Sequence, residues 1–230
     1  MAYKVISIAV LLFGSIAYLN SSSASRTTPA QTRQGFTIRY LTTAQYRGEQ
    51  YLTEHSIRAV SVNGDFKESK TSYYLPDETV KSHTIIGNSQ GVFGTTRTGD
   101  MLELVGGPVS VYEDYRSDDF LAAIPGYIRR EYVLGYNCYV VRIGNDQAYR
   151  EQFYSPVFGQ TILKRVIKSD ESIEIKEAVA IELGDPNPAD LAAPQLPISL
   201  DLIKRKIELH KQENLNAQAD RLQEVVKRFE

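Results

Sequence analysis

The stretch "ESIEIKEAVAIEL", residues 171–183, decides the fold. Ile173, Ile175, Val179, Ile181 and Leu183 share one parity, while Glu174, Lys176 and Glu182 fall on the other. That period of two belongs to a strand with one buried and one wet face. Glu177 shares the apolar parity, and an unpaired carboxylate is costly to bury. Either a bulge near Lys176 and Glu177 turns it outward, or it stands at a cavity.

Similar segments follow one another along the chain at short intervals: 36–46, 50–62, 66–75, 79–86, 92–97, 101–105, 109–112, 128–134, 136–143, 148–154, 162–168 and 172–183. Short turn signals separate several of them, "NGD" at 63–65, "TGD" at 98–100 and "GND" at 144–146, as in hairpins of an antiparallel sheet. Fifteen tyrosines and no tryptophan also suit pleated, half-buried surfaces. Strands do not alternate with long helical patterns, so a parallel nucleotide-binding sheet is not expected.

The stretch "YVLGYNCYVVRI", 132–143, holds the single cysteine. Tyr132, Leu134, Tyr136, Cys138 and Val140 share one face, and Val133, Tyr139, Val141 and Ile143 the other. A strand apolar on both sides reads as central in its sheet and covered twice. Without a neighbouring His or Lys to favour the thiolate, Cys138 reads as inert core rather than as a nucleophile.

Two helices are expected. The first is a short insert at "SDDFLAAI", with Ser117 as N-cap and Asp118 and Asp119 in the first turn, where their charge suits the helix dipole. The second follows "GDPNPADLAAPQLP", a linker over 184–198 with four prolines in its first 14 residues that is expected to run extended along the surface. From Ser199 an apolar stripe runs through Leu200, Ile203 and Ile207, breaks at "HKQEN", and resumes through Leu215, Ala219, Leu222, Val226 and Phe229. The amphipathic helix expected over 199–229 either packs on its own domain or pairs with a partner or a second copy.

Residues 1–24 carry a basic start, an apolar run over 5–19 and the small residues Ser22 and Ala24, the pattern of a cleaved secretory signal. The run is shorter than the ~20 residues of a membrane-spanning helix. Export to the periplasm or the exterior is expected after cleavage near Ala24, followed by a disordered segment over 25–35 and the β domain over 36–183. The segment 1–24 holds Lys4 and no acid, so its removal leaves 25 basic and 28 acidic residues out of 26 and 28. That mild charge, with no basic patch, gives no footprint for nucleic acid. An exported chain with one cysteine must rely on packing rather than disulfides.

No pattern specifies a reaction. His55, His83 and His210 lack metal-ligand spacing. No G-x-S-x-G elbow occurs, and the glycines of "GNSQGVFG" precede no helix. Neither enzyme activity nor a cofactor or metal is expected.

Within "YREQFYSPVFGQTILKRVI", 149–167, an aromatic strand end turns through Pro and Gly into a basic strand. Phe153, Tyr154, Pro156, Gly159, Ile162, Leu163, Lys164 and Arg165 occupy the positions of a hairpin that resembles that of the periplasmic lipoprotein carriers and sigma-factor regulators, the LolA and RseB group. The chain departs from that plan where those carriers begin with a helix, and its Pro-linked last helix has no counterpart there. The resemblance, together with the two-faced strands, implies a mainly β fold, a curved antiparallel sheet forming a half-open barrel with the short helical insert across its concave side; the C-terminal helix is expected outside. The function expected is non-enzymatic binding of an apolar ligand, an acyl chain or a lipidated partner, on the concave face. Tyr136, Cys138, Val140, Phe153, Ile173, Ile175, Glu177 and Val179 are its candidate lining. Burial at ~0.8 kcal/mol per methylene needs no polar constellation and leaves no motif. The alternative is a structural or interaction module whose helix over 199–229 docks a partner.

Overall fold

A computed structural model describes residues 34–74, 79–108, 124–159 and 161–230. The signal segment, the strand expected over 109–112 and the core of the insert at "SDDFLAAI" lie outside them.

β1 (Phe36–Tyr46) and β2 (Glu49–Val60) form a hairpin, followed by β3 (Phe66–Tyr74), β4 (Thr79–Gly87), β5 (Val92–Thr95) and β6 (Leu102–Gly106). β7 (Tyr127–Val133), β8 (Tyr136–Gly144), β9 (Tyr149–Tyr154), β10 (Ile162–Lys168) and β11 (Ser172–Leu183) continue the meander. With β12 (Ile198–Ser199) they make one unclosed sheet in the order β12-β6-β5-β4-β3-β2-β1-β11-β10-β9-β8-β7. All described pairings are antiparallel except that of β12 with β6, so the expected fold class holds. Tight turns set the registers. Arg47-Gly48 and Leu134-Gly135 each join two strands with both residues at positive φ, 53° and 86° in the first and 49° and 82° in the second, the two-residue hairpin geometry that matches strand twist.

β8 is not central: it lies next to the edge strand β7. It is nevertheless buried on both faces, with Cys138, Tyr139, Val140 and Val141 all in the core.

The curl of the sheet is read from side chains that converge. Lys176 on β11 lies opposite Thr42, and Glu68 on β3 lies opposite Arg58, which lies opposite Ile38. Three strand spacings and a four-residue offset would hold their Cα atoms about 19 Å apart in a flat sheet. Their charged groups meet at 2.6 Å, so the face that carries them is concave. Phe158, in the 3-10 turn Pro156–Phe158, supports the same curl: its ring lies 5.0 Å from Phe36 on β1 and 4.8 Å from Tyr136 on β8.

The bulge anticipated in β11 exists, but at Val179. Arg39 opposes Ala180 and Tyr40 opposes Ala178, leaving Val179 as the extra residue. This resets the parity. After the bulge Ile181 packs against the core beside Ile38, and Leu183, opposite Phe36 at the strand end, is 50% exposed; before it Lys176, not Glu177, points the same way as Ile181. The reading of Lys176 as wet is therefore reversed.

After the one-turn helix α1 (Pro188–Leu191), the C-terminal segment forms two helices, α2 (Asp201–Gln212) and α3 (Asn216–Val226), rather than one. Asn214, at φ 59°, ends α2. Its N–H donates to the Lys211 carbonyl and the next N–H, of Leu215, to that of His210, a Schellman termination in which Asn tolerates the left-handed conformation. Ile203, Ile207, Ala219, Val225 and Val226 pack with Phe93, Leu102 and Leu104 in a second core. Phe93 lies opposite Ile86, which lies opposite Lys67, so the helices cover the convex face, as expected. The linker crosses that face too, where Lys67 Nζ donates to the Ala192 carbonyl at 3.1 Å.

Candidate functional site

The concave face of β1–β4 and β11 changes character along the strands. At one end the row Phe36–Val60–Phe66 is apolar and buried. One row further stand Ile38, Arg58 and Glu68; then Tyr40, Ser56, Lys70 and His83; then Thr42, Glu54 and Lys176. Alternation places all of these on one side, because directly opposed residues point the same way.

Glu68 is the hub. Its carboxylate, 9% exposed, lies 2.6 Å from Lys176 Nζ, 3.0 Å from Arg58 Nη1 and 3.5 Å from Lys70 Nζ. Lys176 also lies 3.7 Å from Glu54 and 4.6 Å from the centre of the Tyr40 ring, and the Arg58 guanidinium sits 4.1 Å from that of Phe66. Burial alone would raise the Glu68 carboxyl, but Lys176, Lys70 and Arg58 together outweigh it and hold it at about 2. Burial pushes Lys176 down against the pull of Glu68, pushes Tyr40 up, and with Lys70 lowers His83. The Tyr40 hydroxyl donates to the Ile162 carbonyl at 2.9 Å.

Among the described residues of these strands, three buried polar groups on this face lack a partner. The hydroxyls of Thr42 and Ser56, residues 4% and 2% exposed, and Arg58 Nε make no hydrogen bond within the protein. Each buried unsatisfied group costs about 1–3 kcal/mol. Among the described residues no group of His, Cys, Asp and Glu is arranged to hold a metal ion.

The residues expected to line a ligand divide. Cys138, Val140 and Phe153 are buried in one cluster with Phe36, Ile38 and Tyr40, and Tyr136 packs against it. Burial pushes the Cys138 thiol up to about 11, which leaves it no nucleophilic character near neutrality. Ile173 and Ile175 are half-buried opposite Lys168 and Val166. Glu177, opposite Leu41 and Lys164, pairs with Lys164 Nζ at 3.3 Å. Val179 is 46% exposed at its bulge.

The charged array was not legible as a site. Glu54, Ser56 and Arg58 alternate in β2 like the polar side of a strand, and only register with Lys176, more than a hundred residues away, turns them inward. A second buried carboxylate, Glu151 on β9, is matched by Arg129 at 3.0 Å and Arg142 at 2.7 Å, and its hydrogen bonds from Arg129 hold it low despite burial. On the helical hairpin a cleft of about 770 Å³ is lined by Lys204, Ile207, Leu209, Lys211, Val226 and Lys227, among others.

No described helix is long and apolar enough to cross a membrane. No family model matches the chain, and no curated protein matches it. Among solved structures it is similar to PNGF-II, with a TM-score of 0.37 and 13% identity over 75% of this chain and 32% of that one, so it spans about a third of that protein. It is similar to a chain of the Pseudomonas aeruginosa MucA/MucB complex, with a TM-score of 0.40 and 14% identity over 71% of this chain and 57% of the other. It is also similar to a LolA superfamily protein, NE2245 from Nitrosomonas europaea, with a TM-score of 0.33 and 10% identity over 70% and 91% of the two chains.

Proposed function

We propose that this is an exported, non-enzymatic binding protein that holds an apolar ligand, an acyl chain or a lipidated partner, on the concave face of its sheet. One observation carries the reading: α2, α3 and the linker pack on the convex face, so the chain's long C-terminal segment is not what covers the hollow. The row Phe36–Val60–Phe66 supplies apolar wall on that face, and burial of an acyl chain against it proceeds at ~0.8 kcal/mol per methylene.

Mass spectrometry of organic extracts from natively purified protein tests this. A stoichiometric acyl-chain compound is expected, and protein that carries none and takes up no long-chain amphiphile in solution would refute it. Envelope fractionation with N-terminal sequencing tests export, with a mature start at Ser25 expected.

A second reading, docking of a protein through the helical hairpin, is favoured by Leu209, which stays 51% exposed beside the cleft. Of the apolar stripe itself, Ile203, Ile207, Ala219 and Val226 pack on the protein's own sheet.

A further inference from the structure

We infer that the charged array on the concave face receives the anionic head group of the bound amphiphile, with Arg58, Lys70 and Lys176 as its cations and the Ser56 and Thr42 hydroxyls as donors. The inference rests on the carrier reading and adds to it the chemistry of the ligand's polar end: a small oxyanion, a carboxylate or a phosphate.

Charge is the first support. Three cations, Arg58, Lys70 and Lys176, share two carboxylates, Glu54 and Glu68. In the same rows His83 is held below its ordinary value by burial and by Lys70, and Tyr40 is pushed up by burial; Arg165, opposite Lys176, is matched by Glu174 at 2.9 Å, and Lys81, across from Ser72, adds no negative charge. A cluster with one cation in excess on a buried face favours one further negative charge.

Unmet hydrogen-bonding capacity is the second, independent support. Ser56 and Thr42 are among the most buried polar residues of the protein, yet their hydroxyls bond to nothing, and Arg58 uses Nη1 on Glu68 while Nε stays unpartnered. Guanidinium edges and hydroxyls are the donors that oxyanions take. Ser56 and Arg58 stand two residues apart on β2, and Thr42 on β1 lies opposite Glu54, two residues from Ser56. The partly exposed Lys70, its side chain 25% accessible, marks the side from which a ligand reaches them.

Placement is the third. The apolar row Phe36–Val60–Phe66 and the array lie on the same face, one row apart. A molecule with an apolar tail and an anionic end matches that sequence of surfaces, whereas a neutral lipid leaves the array as it is.

Calorimetric titration of the full chain at pH 7.5 with oleic acid, oleyl alcohol, acetate and inorganic phosphate tests the inference. Oleic acid is expected to bind at least tenfold more tightly than oleyl alcohol, and Lys70→Gln, at the accessible side of the array, to narrow that ratio severalfold. Equal affinity for acid and alcohol overturns the head-group inference and leaves the carrier reading standing. Acetate or phosphate alone binding as tightly as oleate overturns it in favour of a free-anion site. Binding of none of the four removes both readings.

Discussion

Lys176 Nζ lies 2.6 Å from the Glu68 carboxylate and joins β11 to β3 across the two strands between them, a link between residues 108 positions apart. Removing one partner of a buried pair leaves an uncompensated charge, which costs about 3–5 kcal/mol. Glu68→Gln is therefore expected to destabilise by that order, because Arg58 and Lys70 lose their partner as well. Replacing both ends, Glu68→Met with Lys176→Met, is expected to cost much less than the sum of the single changes. Urea unfolding of the four proteins in a double-mutant cycle checks this, and additive effects would show that the pair contributes nothing as a pair.

The same carboxylate makes stability depend on pH. Its folded value, about 2, lies below the ordinary 4.5, so its contribution is complete above the unfolded value and is lost as pH falls through the folded one. The window runs from about pH 5 down to about pH 2, with on the order of 3 kcal/mol at stake. Thermal melting of the wild type is expected to decline across that window more steeply than that of Glu68→Gln. Parallel curves would locate the acid sensitivity elsewhere, with Glu151 the next group to test.

Strand positions were legible because each segment carries its own alternation and its own turn: Phe36–Tyr46, Ile162–Lys168 and Ser172–Leu183 lie where the pattern puts them. What could not be read depended on distant register. The bulge at Val179 is defined only by Arg39 and Tyr40 on another strand, so the sequence offers two equivalent parities for β11 and the apolar count chooses the wrong one for Lys176. Likewise, β8 looks central because both its faces are apolar, although its place beside β7 follows from the order of hairpins. The concave charges stayed hidden for the same reason: half of the array comes from β2 and β3, and its key cation comes from β11.

Phe158 closes the end of the sheet between β1 and β8, edge-on to Phe36 and Tyr136. Phe158→Ala is expected to cost about 3–5 kcal/mol through the cavity and the lost ring contacts. Phe158→Leu should recover most of it. A loss of unfolding free energy in urea of less than half that size for the alanine variant would mean that β1 and β8 are held together by other contacts.

Cys138 tests the interior directly. Its side chain is fully buried, its Sγ lies 3.5 Å from the Tyr136 carbonyl, and burial pushes it up to about 11. At pH 8 the native protein is expected to leave a disulfide reagent unreacted for hours, and to release one equivalent of chromophore once unfolded in urea. The rate in sub-denaturing urea then reports how often β8 opens. Rapid reaction of the native thiol at a rate independent of urea would place Cys138 in a solvent path, and its packing in one cluster with Val140 and Phe153 would have to be abandoned.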